Sequence, residues 1–351
     1  MSNGARALPG SDEERIARGV LAGNRFLLSR AITLVESTRA DHRISGREIL
    51  EVALQEADVS AKPSIRIGIS GPPGVGKSSF IEAAGKELIK RGRKVAVVCV
   101  DPTSVISRGS ILGDKTRMNY LSAEPNAFIR PCSNGLQMGG LAQHTDEVVM
   151  LCEAAGYDTV LIETVGVGQS EILVNEVSDM FLLLLPPGGG DELQGIKKGI
   201  VESADLIAIN KADGDLLMPA KRAQGEYQAA LMALRGNSKK RMWWTPEVLT
   251  CSAKIHKGIE EVLDITDKFR EKGTDSGELA LCRGTQRASW MWRKAEESLM
   301  QMLRAEPAVQ ELAKTLEDEL RKGKRSSRWA ASELVGTFFA HNRLNDPPQG
   351  L

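Results

Sequence analysis

The chain has 351 residues, 42% hydrophobic and 26% charged, enough to bury a sizeable core in one large domain with additions or in two domains. Lysine plus arginine (46) balances aspartate plus glutamate (46), so no bulk field recruits nucleic acid or a membrane surface. No apolar run reaches the ~18 to 20 residues of a spanning helix. The longest candidate is Met180 to Leu185, and a soluble protein is expected. The five cysteines Cys99, Cys132, Cys152, Cys251 and Cys282 are widely spaced, with no CxxC pair, and read as reduced core thiols of an intracellular compartment. Asp12, Glu13 and Glu14 argue against an acidic-poor transit peptide, and the bacterial cytoplasm and the mitochondrial matrix both stay open.

From about Glu13 to Ala57, apolar residues recur at helical spacing (Ile16, Val20, Phe26, Leu27, Ala31, Ile32), which predicts a helical extension over 1–62. Ala61, Lys62 and Pro63 break that pattern. Predicted strands follow at Ile65 to Ile69, Lys94 to Val100, Ala127 to Arg130, Thr159 to Glu163, Met180 to Leu185, Leu206 to Ile209 and Val248 to Cys251. Most are short continuous apolar runs, the pattern of parallel strands covered on both faces. Helical patterns alternate with them at Lys77 to Arg91, Gly140 to Ala155, Glu192 to Ser203, Pro219 to Arg235 and Gly258 to Lys272. This order predicts a doubly wound, mostly parallel α/β domain over 63–273, with ligands at the carboxyl ends of the strands. The run GTDSGE from Gly273 reads as a linker to a C-terminal helical arm over 274–351, interrupted by Pro307 and by the basic stretch Arg321 to Arg328. Apolar positions in that arm (Trp290, Leu299, Leu303, Leu312, Leu316) exceed what an isolated arm buries and predict a homodimer. Trp290 and Trp292, two residues apart, cannot face one core together on a helix, so one packs and the other is expected to meet a partner subunit.

The first strand runs directly into Gly71, Pro72, Pro73, Gly74, Val75, Gly76, Lys77 and Ser78, which fits G-x-x-x-x-G-K-[ST] between a strand and a helix. The glycines let backbone N–H groups turn toward phosphate oxygens, and the helix N-terminus adds positive potential. Ser79 continues the cradle into the helix. Lys77 is expected to reach the β- and γ-phosphates and Ser78 to hold Mg²⁺. Asp101, ending a strand, and Asp114, in RGSILGDKTR, are further magnesium candidates, directly or through water. Glu163 opens ETVGVGQSE, where its carboxylate is positioned to sense magnesium and the Gly166 N–H the γ-phosphate. Lys77, Glu163 and Asp101 are therefore the candidate catalytic residues.

After the strand DLIAIN comes Asn210, Lys211, Ala212, Asp213, the pattern NKxD. The Asp213 carboxylate can accept from guanine N1–H and the exocyclic amine, a pairing adenine does not offer, so GTP and GDP are preferred over ATP. Asn210 braces the loop and Lys211 lies along the base plane, while Ser252 and Ala253 match the remaining base-contacting loop.

Taken in order, GPPGVGKS, VDPTS, SILGDKTRM, AFIRP, LCEAAGYD, ETVGVGQSE, PGGGDELQGIKKGI and NKAD resemble the methylmalonyl-CoA mutase-associated GTPase family, which includes MeaB and the methylmalonic aciduria type A proteins among the P-loop GTPases. The resemblance is strong over Ala31 to Lys272 and looser through SWMW in the arm. It implies a GTPase chaperone that gates delivery of adenosylcobalamin to the mutase and protects or reactivates it. The adenosylcobalamin is then carried by the partner rather than bound tightly here. By the same resemblance Asp101, Asp114 and Glu163 correspond to magnesium-network and switch carboxylates. The loop Pro187 to Lys198 corresponds to a third switch reporting through Asp191 and Lys197. Val167 stands where signalling GTPases carry a water-orienting glutamine and Gln169 lies two residues on, so intrinsic hydrolysis should be slow and partner-stimulated.

Three alternatives remain at this level, one of them a purely structural dimer that uses nucleotide as a folding ligand and that partner-stimulated turnover would exclude. A nickel-delivery GTPase needs a thiolate or histidine cluster, whereas His42, His144, His256 and His341 are isolated in sequence. A P-loop kinase of a small molecule would use Lys77 and Ser78 equally well, but NKAD counts against it.

Overall fold

The computed structural model describes residues 10–57, 64–101, 118–133, 144–164, 174, 176–188, 198–235, 241 and 243–342. The chain divides into two compact units, with the division between Cys282 and Arg283.

In the first unit, Ser11 caps α1 (Asp12–Leu21) by accepting the Glu14 amide at 3.1 Å. Asn24 caps α2 (Arg25–Val35) through the amides of Phe26 and Leu27. These side-chain acceptors take up N–H groups that the first helical turn leaves without partners. With α3 (Ala40–Glu56), the two helices bury Ile16, Val20, Leu28, Ile32 and Ile49. The helical preface is thus three helices packed on one another and on the helix Thr145–Ala154.

The sheet consists of β1 (Ile65–Ser70), β2 (Val95–Asp101), β3 (Ala127–Ser133), β4 (Thr159–Thr164), β5 (Met180–Leu185), β6 (Leu206–Ile209) and β7 (Glu247–Thr250). Its order is β3-β2-β4-β1-β5-β6-β7, and every pairing is parallel. All residues of β1, β4 and β5 are buried, the reason these segments read as continuous apolar runs rather than alternations. Between strands lie α4 (Lys77–Lys90), α5 (Asn119–Ala123), α6 (Thr145–Ala154), α7 (Lys198–Ser203) and α8 (Leu217–Arg235), and α9 (Ile259–Asp275) follows β7. One face of the sheet packs Ile67, Val97, Leu161 and Leu182 against Phe80 and Ile81 of α4 and Val262 and Phe269 of α9. On the other face α6 lies against β2 and β4, beneath the layer α1–α3. At the amino edge, buried Asp179 and Asp205 accept the strand amides of Arg66 at 2.9 Å and Phe181 at 2.8 Å.

The chain leaves β1 toward β2 on one side of the sheet, while β5 lies on the other side, so the order reverses beside β1. Ligands of open α/β sheets bind at the carboxyl end of such a switch point. The phosphate loop occupies that position.

The GTDSGE segment is not a linker. Gly273, Thr274 and Asp275 complete the last turn of α9, and Glu278 starts α10 (Glu278–Ala305), leaving only Ser276 and Gly277 between them. Leu279 packs on Gly273 and Trp243, and this apolar contact holds the turn that composition alone reads as flexible.

In the second unit α10 continues and is followed by α11 (Pro307–Arg321) and α12 (Ser327–Asn342). Pro307 sits at the helix start, where its missing N–H costs nothing. The helices α11 and α12 pack on each other. Trp290 is 7% exposed and Trp292 is 65% exposed, as their spacing requires. Of the apolar positions named in this arm, Trp290 and Leu316 are buried within the single chain, whereas Leu299 is 60% exposed. No helix among the described residues is long and apolar enough to cross a membrane.

Candidate nucleotide site

The phosphate loop is built by backbone geometry. Gly74 (φ 78°) and Gly76 (φ 96°) take left-handed conformations, and Gly76 is the residue from which α4 departs. A Cβ on Gly76 would stand 2.8 Å from Asn210 Nδ2, so glycine is required both by φ and by the approach of the base loop. Gly71, Val75 and Lys77 are buried, Pro72, Gly76 and Ser78 half-buried, and Pro73, Gly74 and Ser79 exposed. Lys77 Nζ donates to the carbonyl oxygens of Gly71 at 2.8 Å and Pro72 at 3.3 Å, holding the ammonium inside the loop.

Ser78 Oγ donates to Glu163 Oε1 at 2.9 Å, so the P-loop hydroxyl and the penultimate residue of β4 meet at one place. Two hard oxygen donors are what Mg²⁺ prefers, and the pair fits that ion. Asp101 ends β2 beside β4, one residue beyond the pairing of Val100 with Thr164. Asp114, Gly166, Gln169, Asp191 and Lys197 lie outside the described residues.

The base loops close on the phosphate loop from the β6–β7 side. Asn210, 2% exposed, donates from Nδ2 to Val75 O at 2.9 Å. Its Oδ1 accepts the Ala253 amide at 3.1 Å and the Cys251 thiol at 3.8 Å. Burial pushes the Cys251 thiol up to about 12, so it stays an S–H donor. Lys211, in a left-handed conformation at φ 61°, donates from Nζ to Gly74 O at 2.7 Å. Ser252 Oγ donates to Asp213 Oδ1 at 2.5 Å, orienting the carboxylate. The Ala212 amide bonds to Cys251 O at 2.9 Å, joining the loops after β6 and β7.

Among the described residues, the structure therefore brings together the P-loop, Glu163, Asn210, Lys211, Asp213, Ser252 and Ala253. Motif reading missed Cys99, Cys251, and the buried hydroxyl pair Ser70 and Thr164, whose oxygens lie 3.1 Å apart behind the site. Only Cys99 carried a signal, standing two residues before Asp101 on the strand leading to it. Outside the site, His42 Nδ1 lies 2.9 Å from Ser37 Oγ and His144 Nδ1 2.6 Å from Glu147.

Comparison with known proteins agrees with this geometry. The family profile described as "Methylmalonyl Co-A mutase-associated GTPase MeaB" matches residues 28–308. The mitochondrial methylmalonic aciduria type A homolog of Mus musculus is 46% identical over 93% of this chain and 79% of its own length. GTPase ArgK of Escherichia coli is 45% identical over 82% of this chain and 84% of its own. The crystal structure of a protein described as LAO/AO transport system kinase is 35% identical, covers 94% of this chain and 98% of that one, and superposes with a TM-score of 0.71. The P-loop, the NKAD loop and these matches make the chain a GTP hydrolase of the methylmalonyl-CoA mutase-associated GTPase family.

Proposed function

We propose that this GTPase is a chaperone that gates adenosylcobalamin delivery to methylmalonyl-CoA mutase and protects or reactivates that enzyme. The match of a mutase-associated family profile over residues 28–308 carries this reading. Adenosylcobalamin belongs to the mutase. The chaperone works as a homodimer through its C-terminal helices, in the mitochondrial matrix of a eukaryote or the cytoplasm of a bacterium.

The chemistry follows from the residues. The amides of Gly74 to Ser78 cradle the phosphates, and Lys77 moves from the Gly71 and Pro72 carbonyls to the β- and γ-phosphate oxygens. Ser78 and Glu163, with Asp101 and Asp114, would hold Mg²⁺, which when bound would supply positive charge to offset that of the phosphates. Asp213 pairs with guanine N1–H and the amine, and the Ser252 hydroxyl orients its carboxylate by donating to Oδ1. Gly166 and Gln169 respond to the γ-phosphate, and hydrolysis is slow until a partner rearranges that segment. Asp191 and Lys197 transmit nucleotide state, since allostery needs contacts that differ between states.

The 35% identical structure is described as a transport system kinase, which keeps a kinase as the second reading. Measuring free phosphate against phosphate transferred to an acceptor separates the two.

The test of the chaperone role is single-turnover GTP hydrolysis with and without methylmalonyl-CoA mutase. The mutase should stimulate the native protein. Asp191→Ala and Lys197→Ala should leave GTP affinity and intrinsic turnover nearly unchanged while stimulation falls several-fold to about a hundredfold, the span of a coupling of ~1 to 3 kcal/mol. Full stimulation in both variants would reduce the loop to a connector, and none in the native protein would sink the mutase assignment.

A further inference from the structure

The carboxylate of Glu163 is held from two directions. Its Oε1 accepts from Ser78 Oγ at 2.9 Å, and its Oε2 lies 3.8 Å from Cys99 Sγ, within reach of a thiol donor. Cys99 sits on β2, directly paired in register with Glu163 on β4. It is 3% exposed and belongs to the apolar cluster that includes Ile69, Val97 and Leu161, so its place is fixed by packing. We propose that Cys99 is a positioning residue for Glu163, its thiol fixing the second carboxylate oxygen and thereby the orientation in which the first meets Ser78. The proposal rests on the reading of Glu163 as the magnesium-linked carboxylate.

The physical case is one of torsional freedom. The terminal torsion of a glutamate is broad and roughly two-fold, so a carboxylate held at one oxygen still swings about that contact. Holding the second oxygen removes the swing. A thiol is a weak donor in water, but Glu163 is only 7% exposed, and a hydrogen bond to a charged group gains strength where the dielectric is low. Catalysis by positioning is sensitive to such freedom, because a displacement of about 1 Å at an ion-holding group costs orders of magnitude in rate. A space-filling role in the core would make the sulfur's chemistry irrelevant, and the two roles make different predictions.

The test uses the full chain and reads kcat for GTP, the Mg²⁺ concentration giving half-maximal rate, GDP affinity and Tm. Cys99→Ala should lower kcat about tenfold, the rate equivalent of one hydrogen bond to a charged group, and raise the Mg²⁺ half-saturation. GDP affinity at saturating Mg²⁺ should hold within about twofold, because that group does not touch the nucleotide. Cys99→Ser, which keeps a donor, should recover most of the loss. On a Glu163→Gln background, Cys99→Ala should add nothing further, as expected for two residues acting as one unit. If Cys99→Ala unfolds the protein, Cys99→Val leaves no cavity and carries no donor, and takes its place against Cys99→Ser. Equal losses in the alanine (or valine) and serine variants, or an additive loss on the Glu163→Gln background, would reduce Cys99 to core packing. Strong loss in Glu163→Gln with none in Cys99→Ala would overturn this proposal alone, whereas full activity in Glu163→Gln would overturn the reading of Glu163 itself.

Discussion

The side-chain amide of Asn210 donates to the carbonyl oxygen of Val75 at 2.9 Å, tying the residue that braces the base loop to the middle of the phosphate loop. With Ala253 N–H on its oxygen, Asn210 joins three loops through one side chain. Base and phosphate recognition are therefore not independent, and a disturbance at one reaches the other.

Gly76→Ala tests that link. The new Cβ meets Asn210 Nδ2 at 2.8 Å at a residue with φ 96°. The left-handed strain alone costs about 1 to 2 kcal/mol, so urea unfolding should show at least that loss. GDP affinity should fall about tenfold or more, because Asn210 must retreat. Unchanged affinity by calorimetry would mean that the Asn210 contact is dispensable.

Asp213→Asn should turn the base preference toward xanthine nucleotides, since the amide donates where guanine also donates. The native protein should bind GTP and GDP tightly and ATP poorly; equal ATP and GTP affinities would remove Asp213 from base recognition. A companion Ser252→Ala loses the 2.5 Å bond that orients the carboxylate and should weaken GTP by about tenfold while leaving the preference for guanine in place.

Lys77→Ala and Ser78→Ala should abolish turnover, the first by removing the phosphate cation and the second by removing the magnesium hydroxyl. Glu163→Ala should lose hydrolysis and retain most nucleotide binding, because its carboxylate faces Ser78 rather than the base loops. Phosphate release and GDP titration on each variant separate these outcomes. Retained hydrolysis in Lys77→Ala would place the active site elsewhere.

Trp290 and Trp292 should part company experimentally. Trp290→Ala empties a site that is 7% exposed, beneath the Arg293 guanidinium 4.7 Å from the ring, and should cost about 3 to 5 kcal/mol in unfolding. Trp292→Ala removes a side chain 65% exposed and should change monomer stability by less than about 0.5 kcal/mol while weakening self-association in light scattering. A native protein that is monomeric at micromolar concentration would oppose the dimer.

Much of this fold is legible because parallel strands and P-loops are local signals. Buried runs such as MFLLLL admit few other assignments, and the glycine spacing of GPPGVGKS fixes both the loop and the start of α4. The site was legible where a motif is contiguous, as in NKAD. It was not legible where contact depends on sheet order. Nothing in the sequence pairs Cys99 with Glu163, since 64 residues separate them and only the adjacency of β2 and β4 brings them together. The same holds for Arg241 and Trp244, which bond to Asp205 at the opposite edge of the sheet. The supposed linker failed for a different reason. Gly, Thr, Asp and Ser are poor helix formers by propensity, but Gly273 is small enough for Leu279 and Trp243 to close over it, and packing overrides propensity.

Gly71 approaches β5 so closely that a Cβ there would stand 2.2 Å from Leu184 O. The entrance of the phosphate loop and the end of β5 thus touch backbone to backbone, and Pro186 follows two residues after Leu184. The nearest group in that contact is the main-chain oxygen of residue 184, which every amino acid carries, so a side chain there acts on it only by moving the backbone. What a lineage must preserve there is a spacing, a glycine opposite a strand of the right length. An insertion of one residue in β5 would break the touch more surely than any exchange of amino acids.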